Sequence, residues 1–229
     1  MRLSVSILSA YNRIECIKKL NNTNIDYFHI DIMDGKFVDN KELPINEVNK
    51  LSKYMEKPLD IHLMVERPLD YINNLNNENI RNITIHEEIN GDKIKIINRI
   101  KEKGYKAGLS IKPNTDISKL IPYLDYIDII LIMSVEPGLG GQKFIPETVE
   151  KIDNLNKLLN KYNKKIDIEV DGGINNQTIK LLKNKINISV VGSYITKSDN
   201  YQDKINISVV GSYITKSDNY QDKINNLFE

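Results

Sequence analysis

Two short stretches carry side chains that could act together: His29-Ile30-Asp31-Ile32-Met33 and His62-Leu63-Met64. Residues two apart in a strand share a face, so His29, Asp31 and Met33 point one way, as do His62 and Met64 on their own strand. A third stretch, Glu169-Val170-Asp171-Gly172-Gly173, leaves a carboxylate at its end. Two imidazoles and two carboxylates converging on one point suit a divalent metal with nitrogen and oxygen ligands. Zinc fits best, Fe2+, Mn2+ or Co2+ would serve, and positions stay open for substrate. A lone strand histidine usually belongs to the core, and a strand-end aspartate usually caps the next helix. Four such residues at strand ends together favour a site.

The remaining histidine, His86 in Thr-Ile-His-Glu-Glu, ends another β-rich run and reads as a supporting residue. Met33, Met64 and Met133 all fall near strand ends. Methionine there is ordinarily core filler, and three around a polar centre would form an apolar wall. A second theme is glycine. Gly138-Leu139-Gly140-Gly141, Gly172-Gly173 and Gly192-Ser193 follow three successive late strands. Backbone N–H groups exposed at such turns hold phosphate, which barrels bind after their last strands.

These residues must be held by some scaffold, and the hydrophobic pattern supplies one. Eight β-rich runs, from RLSVSILSA through IDYFHIDIMDG, PLDIHLMV, RNITIHEE, YKAGLSIKP, IDIILIMSVEPG and KIDIEVDGG to INISVVGS, alternate with segments of helical period. The helices include 91–103, 145–162 and 175–183. This is the pattern of an α/β fold, the (β/α)8 TIM barrel. Its chemistry gathers at the C-terminal strand ends, where these polar residues lie. The 229 residues fit one such domain, 1–229.

With 32 Lys and Arg against 31 Asp and Glu, the charge is nearly balanced, so no nucleic-acid partner is implied. The single cysteine, Cys16, excludes an internal disulfide and a thiolate cluster. With no signal-like h-region and no run long enough to cross a bilayer, the sequence reads as soluble, cytoplasmic and without a membrane partner. Self-association into a homo-oligomer is compatible with it.

Together, SIL in the first strand, HIDIMDG, HLMV, MSVEPGLGGQKF and VDGGI resemble the ribulose-phosphate 3-epimerase family, of the ribulose-phosphate-binding barrel superfamily. The resemblance runs from about Leu3 to Lys204. It implies a metal-dependent interconversion of D-ribulose 5-phosphate and D-xylulose 5-phosphate, in the pentose phosphate pathway, through an enediolate. It makes His29, Asp31, His62 and Asp171 the metal ligands, with Asp31 and Asp171 also the acid/base pair. Substrate contacts fall to Ser6, His62, Asp171, Gly138, Leu139, Gly140, Gly141, Gly172, Gly173, Gly192 and Ser193. Met33, Met64 and Met133 surround the reacting carbon. Two departures stand out: the acidic residue usual soon after the family's serine is missing from Ser-Ala-Tyr-Asn, and Leu139 replaces the usual aromatic. Alternatives are an epimerase of another ketose phosphate, such as allulose 6-phosphate, and a non-catalytic sugar-phosphate-binding barrel.

The chain ends in a tandem duplication: residues 186–204 recur letter for letter as 205–223. A solenoid needs three or more units, and here two copies follow seven unrelated βα units. Only one copy can be the eighth strand, since a ninth would demand a new tilt and shear for the whole barrel. The first copy, which keeps the short link from the preceding helix, is preferred. Gly211 and Ser212 would replace Gly192 and Ser193 if the second formed the strand.

Overall fold

Several strands carry two kinds of side chain, and the barrel sorts them. On one face of the central strands Phe28, Ile30, Ile32, Leu59, Ile61, Leu63, Ile83, Ile85, Ile168 and Val170 join the main apolar core with the helices. On the other face stand His29, Asp31, Asp60, His62, Asn82, Thr84, His86 and Glu169, all buried too. Burial on both faces is the mark of a parallel sheet under a helical layer.

The computed structural model describes residues 1–206. In order the elements are β1 (Arg2–Ser6), α1 (Arg13–Asn21), β2 (Tyr27–Asp34), β3 (Lys41–Glu42), α2 (Ile45–Leu51), β4 (Leu59–Met64), α3 (Pro68–Asn74) and β5 (Ile80–His86). There follow α4 (Lys93–Glu102), β6 (Lys106–Ile111), β7 (Ile129–Met133), α5 (Thr148–Lys161), β8 (Asp167–Asp171), α6 (Thr178–Leu181), β9 (Ile188–Val191) and α7 (Ser193–Thr196). Eight parallel strands run β1-β2-β4-β5-β6-β7-β8-β9, and β1 pairs with both β2 and β9 to close a (β/α)8 barrel. The two-residue β3 is an antiparallel addition to β2, with Met33 opposite Glu42 and Asp34 opposite Lys41.

The longer helices form where the apolar period is strong, and α1 and α4 add a side-chain cap. In α4, Ile96, Ile97 and Ile100 are buried on one side, and the Asp92 side chain accepts from the Lys95 N–H at the start. In α5, Ile152, Leu155 and Leu159 do the same over four turns. Each such buried aliphatic side chain contributes about 1.5–3 kcal/mol relative to exposure. The segment 175–183 is less helical than its pattern predicts, α6 being only four residues long. Asn175 Oδ1 accepts from the N–H groups of Gln177 and Thr178, a local turn that competes with the helix start. After β6 the connection is a 3₁₀ segment, Ile117–Tyr123, with Pro122 inside it. Proline removes a backbone donor and disfavours the α-helical ladder.

The strand that closes the barrel, Ile188–Val191, comes from the first copy of the repeat and pairs with β1 and β8. Residues 201–206 are helical, and Ile205 is fully buried in the main core. Gly211, Ser212 and the rest of the second copy from residue 207 on lie outside the described residues. Among the described residues no helix is long and apolar enough to cross a membrane.

Candidate active site

The C-terminal ends of the strands surround a cavity of about 550 Å³, with Ser6, Asp31, Met33, Met64, Met133 and Asp171 in its lining. Its rim holds Gly138, Leu139, Gly140 and Gly141 after β7, Gly172 and Gly173 after β8, and Gly192 and Ser193 after β9. His29 and His62 are fully buried and lie beneath the floor, outside the lining. Met33, Met64 and Met133 are part of the cavity lining, and Met33 and Met64 pack with Val38.

Ligand atoms of His29, Asp31, His62 and Asp171 all lie within 4.8 Å of one another. The strand register accounts for much of this: β2 and β4 run with Asp31 beside His62, and Asp171 ends β8 opposite Met133. Asp31 Oδ1 is 3.3 Å from His29 Nε2 and 3.2 Å from His62 Nδ1. Its other oxygen accepts from the Ser6 hydroxyl at 2.8 Å. Ser134 fixes the end of β8, with its Oγ 2.8 Å from the Asp171 carbonyl and 2.6 Å from that of Gly172.

These residues fit a divalent metal. His29 Nε2 is fully buried and has no hydrogen-bond partner among the described residues, a costly state for a ring nitrogen unless a cation takes it. The opposite nitrogen, Nδ1, is 2.7 Å from Asp60 Oδ2, which fixes the ring. His29, Asp60 and Glu169 also gather ligand-type atoms. There, however, Asp60 is already occupied: Ser4 donates to it at 2.8 Å and Asn82 at 2.6 Å, besides His29. Asp60 therefore orients a ligand, as carboxylates behind metal-bound histidines do.

The two carboxyls that face the cavity have been driven apart. Burial alone would raise Asp31, but the charge of neighbouring His29 outweighs it and holds the carboxyl well below its usual range. Asp171 is raised to about 6, first by burial and then by the charge of Asp31. Burial would lower His29, yet flanking Asp60 and Asp31 raise it well above its ordinary value.

The glycine rim is built by close approach. Gly173 has φ +64°, and a Cβ there would sit 2.3 Å from the Phe144 backbone nitrogen. Gly172, at φ +118°, would meet Val135 at 2.5 Å. Only glycine lets these turns press against the β7 loop. Asn40 donates to the Gly138 carbonyl at 2.8 Å and ties that loop to the one after β2. Leu139 at its tip is 63% exposed.

Several residues of the site escaped the sequence reading. Lys197 lines the cavity, with Nζ 4.0 Å from where a Gly141 Cβ would be, beside Ser193 Oγ at 3.9 Å. The signal was available: Lys197 lies four residues after Ser193, one helical turn on. Asp60 could have been found from its place two residues before His62 on the same strand face. Ser134 acts through backbone carbonyls and left no pattern to read.

The ribulose-phosphate 3 epimerase family model matches residues 2–196. A relative from Synechocystis sp., ribulose-phosphate 3-epimerase, is 37% identical over 86% of this chain and 88% of its own length. The relative of that name from Methanocaldococcus jannaschii is 36% identical over 87% and 86%. The cytoplasmic isoform from Oryza sativa is 39% identical over 74% and 75%. Among solved structures, 3-hexulose-6-phosphate synthase from Salmonella typhimurium superposes with a TM-score of 0.64 at 16% identity, covering 93% of this chain and 99% of that one. Tryptophan synthase from Mycobacterium tuberculosis gives 0.68 at 11%, covering 92% of each. These two likenesses concern the fold alone.

Proposed function

Since the chain belongs to the ribulose-phosphate 3-epimerase family and is therefore an isomerase, we propose that it interconverts D-ribulose 5-phosphate and D-xylulose 5-phosphate by proton transfer at C3. The observation that carries this reading is the pairing of Asp31 and Asp171 in the cavity lining, with ligand atoms of both within 4.8 Å of those of His29 and His62.

Inverting C3 requires removal of the proton next to the C2 carbonyl and return of a proton to the opposite face. Two carboxyls are what that reaction needs, one taking the proton while the other supplies one, the roles exchanging with direction. The Asp31 carboxyl is held for this by the Ser6 hydroxyl, and the backbone of Asp171 by Ser134. His29, Asp31, His62 and Asp171 would hold one divalent cation, zinc by the mixed nitrogen and oxygen donor set. When bound, it supplies Lewis-acid polarisation of the C2 carbonyl and stabilises the negative charge that develops on the neighbouring oxygens. Met33, Met64 and Met133 wall the reacting carbon and exclude water.

The substrate phosphate sits in the glycine rim, on backbone N–H groups of Gly172, Gly173, Gly192 and Ser193, with Gly138, Leu139, Gly140 and Gly141 closing above it. The chain works as one barrel domain, 1–229, whose closing strand is Ile188–Val191 of the first copy, the second copy beyond Asn206 being surplus. The test is a coupled assay with D-ribulose 5-phosphate and added zinc. Metal-dependent appearance of D-xylulose 5-phosphate is expected. No product at saturating substrate and metal would refute the assignment.

A further inference from the structure

We infer that Glu88, acting through His86, is a positioning residue that sets the tautomer of His62 and thereby its capacity to bind metal. This rests on the metal reading above. His62 Nε2 and His86 Nε2 are 2.9 Å apart, and both rings are fully buried. Two ring nitrogens at that distance require one N–H and one lone pair, and the contact alone does not say which is which. The far side of His86 decides it. His86 Nδ1 is 3.1 Å from Glu88 Oε2.

Glu88 is anchored as an acceptor. Its other oxygen, Oε1, takes the Lys112 backbone N–H at 2.7 Å and the Thr115 hydroxyl. Burial would raise this carboxyl, but the hydrogen bonds from His86, Lys112 and Thr115 bring it down to about 2. An ionised carboxylate only accepts, so His86 carries its proton on Nδ1 and presents a lone pair at Nε2. His62 must then donate from Nε2, which leaves its own lone pair on Nδ1. That is the nitrogen 3.2 Å from Asp31 Oδ1, in the four-residue ligand group. A lone pair facing a carboxylate oxygen is repulsive unless a cation lies between, as it does when both ligate one ion.

The chain of bonds is held against rotation. Phe37 lies against the His86 ring at a centroid distance of 4.7 Å, with Lys112 Nζ over the far ring at 4.3 Å. His62 also packs on His29, at 5.6 Å. His29 has the same arrangement in shorter form, Asp60 holding Nδ1 and leaving Nε2 for the metal. Each imidazole ligand thus ends in a buried or half-buried carboxylate, one directly and one through a second histidine.

Glu88→Gln tests the direction of the relay. The Lys112 N–H fixes the new amide with its oxygen toward Lys112, which turns the NH2 group toward His86. His86 then accepts at Nδ1 and donates from Nε2, and His62 is left with its proton on Nδ1, the wrong nitrogen. Zinc affinity, measured by chelator competition, should fall roughly 10- to 100-fold in Glu88→Gln, while Thr115→Val stays within about twofold because it leaves Oε2 untouched. Nitrogen-15 NMR of the wild-type histidines gives a second reading, with and without zinc: a protonated Nε2 on His62, a protonated Nδ1 and bare Nε2 on His86. Equal zinc affinity in wild type and Glu88→Gln, equal losses in both variants, or a proton on His86 Nε2 would overturn the inference. Failure of the wild-type protein to bind zinc at all would instead overturn the metal reading it rests on.

Discussion

One oxygen of Asp31 lies 3.2 Å from Nδ1 of His62, across the neighbouring strands β2 and β4. Both residues are buried, and the His29 Nε2 beside them has no hydrogen-bond partner among the described residues. A cation held by this group would bind the native state alone, so metal removal should be felt by the whole fold. Saturation with zinc at 1,000 times its Kd should stabilise the native state by about 4 kcal/mol. Chelation should lower Tm, and zinc should restore it. An unchanged Tm across both treatments would contradict a metal site at these four residues.

The Ser6 hydroxyl donates to Asp31 at 2.8 Å. A hydrogen bond to a carboxylate contributes about 1.5–3 kcal/mol, and here the partner is one of the proposed proton-transfer groups. Ser6→Ala should lower kcat/KM roughly tenfold or more with little change in far-UV circular dichroism. Steady-state kinetics at saturating zinc check this, and unchanged kcat/KM would mean that Asp31 is held adequately without the serine.

Lys197 stands at the glycine rim of the cavity, where the phosphate is proposed to bind, near Gly141 and Ser193. As a flexible, hydrated point charge it should strengthen binding of the phosphate without touching the reacting carbon. Lys197→Ala should raise KM about fivefold to tenfold and leave kcat within about twofold. The KM of the wild type should also rise with salt more steeply than that of the variant. A fall in kcat with KM unchanged would place the lysine elsewhere in the mechanism.

The repeat offers a test that no ordinary point variant can. Removal of residues 207–225 joins Asn206 to Asn226 and leaves a single copy of the repeated unit, followed directly by Asn-Leu-Phe-Glu. The strand Ile188–Val191 and the buried Ile205 are kept. The shortened chain should therefore match the full one in kcat/KM within about twofold and show an equal or higher Tm. Loss of activity would mean that the second copy supplies part of the site.

The period-two pattern made the core of the site legible, because His29, Asp31, His62 and the methionines sit on strands where spacing dictates facing. The eight strands were legible for the same reason. The late start of α6 and the 3₁₀ segment before β7 were not, because Asn175 and Pro122 act locally against an apolar pattern that otherwise reads as helix. The two-residue β3 has too few residues to show a period; it is held by pairing with β2 and by Arg13, which reaches Glu42 at 2.7 Å. Glu88 was the hardest to see. It lies past the end of β5, and its link to the site passes through a contact between two histidines that only the folded barrel creates.

Exchange at C3 tests the central claim most directly. In deuterated buffer with zinc, proton NMR of D-ribulose 5-phosphate should show loss of the C3 proton in step with formation of D-xylulose 5-phosphate by the wild-type protein. Asp171→Asn and Asp31→Asn should each slow both processes by a factor on the order of 10²–10⁴. An Asp171→Asn protein that exchanges C3 and epimerises at the wild-type rate would contradict the two-carboxyl account.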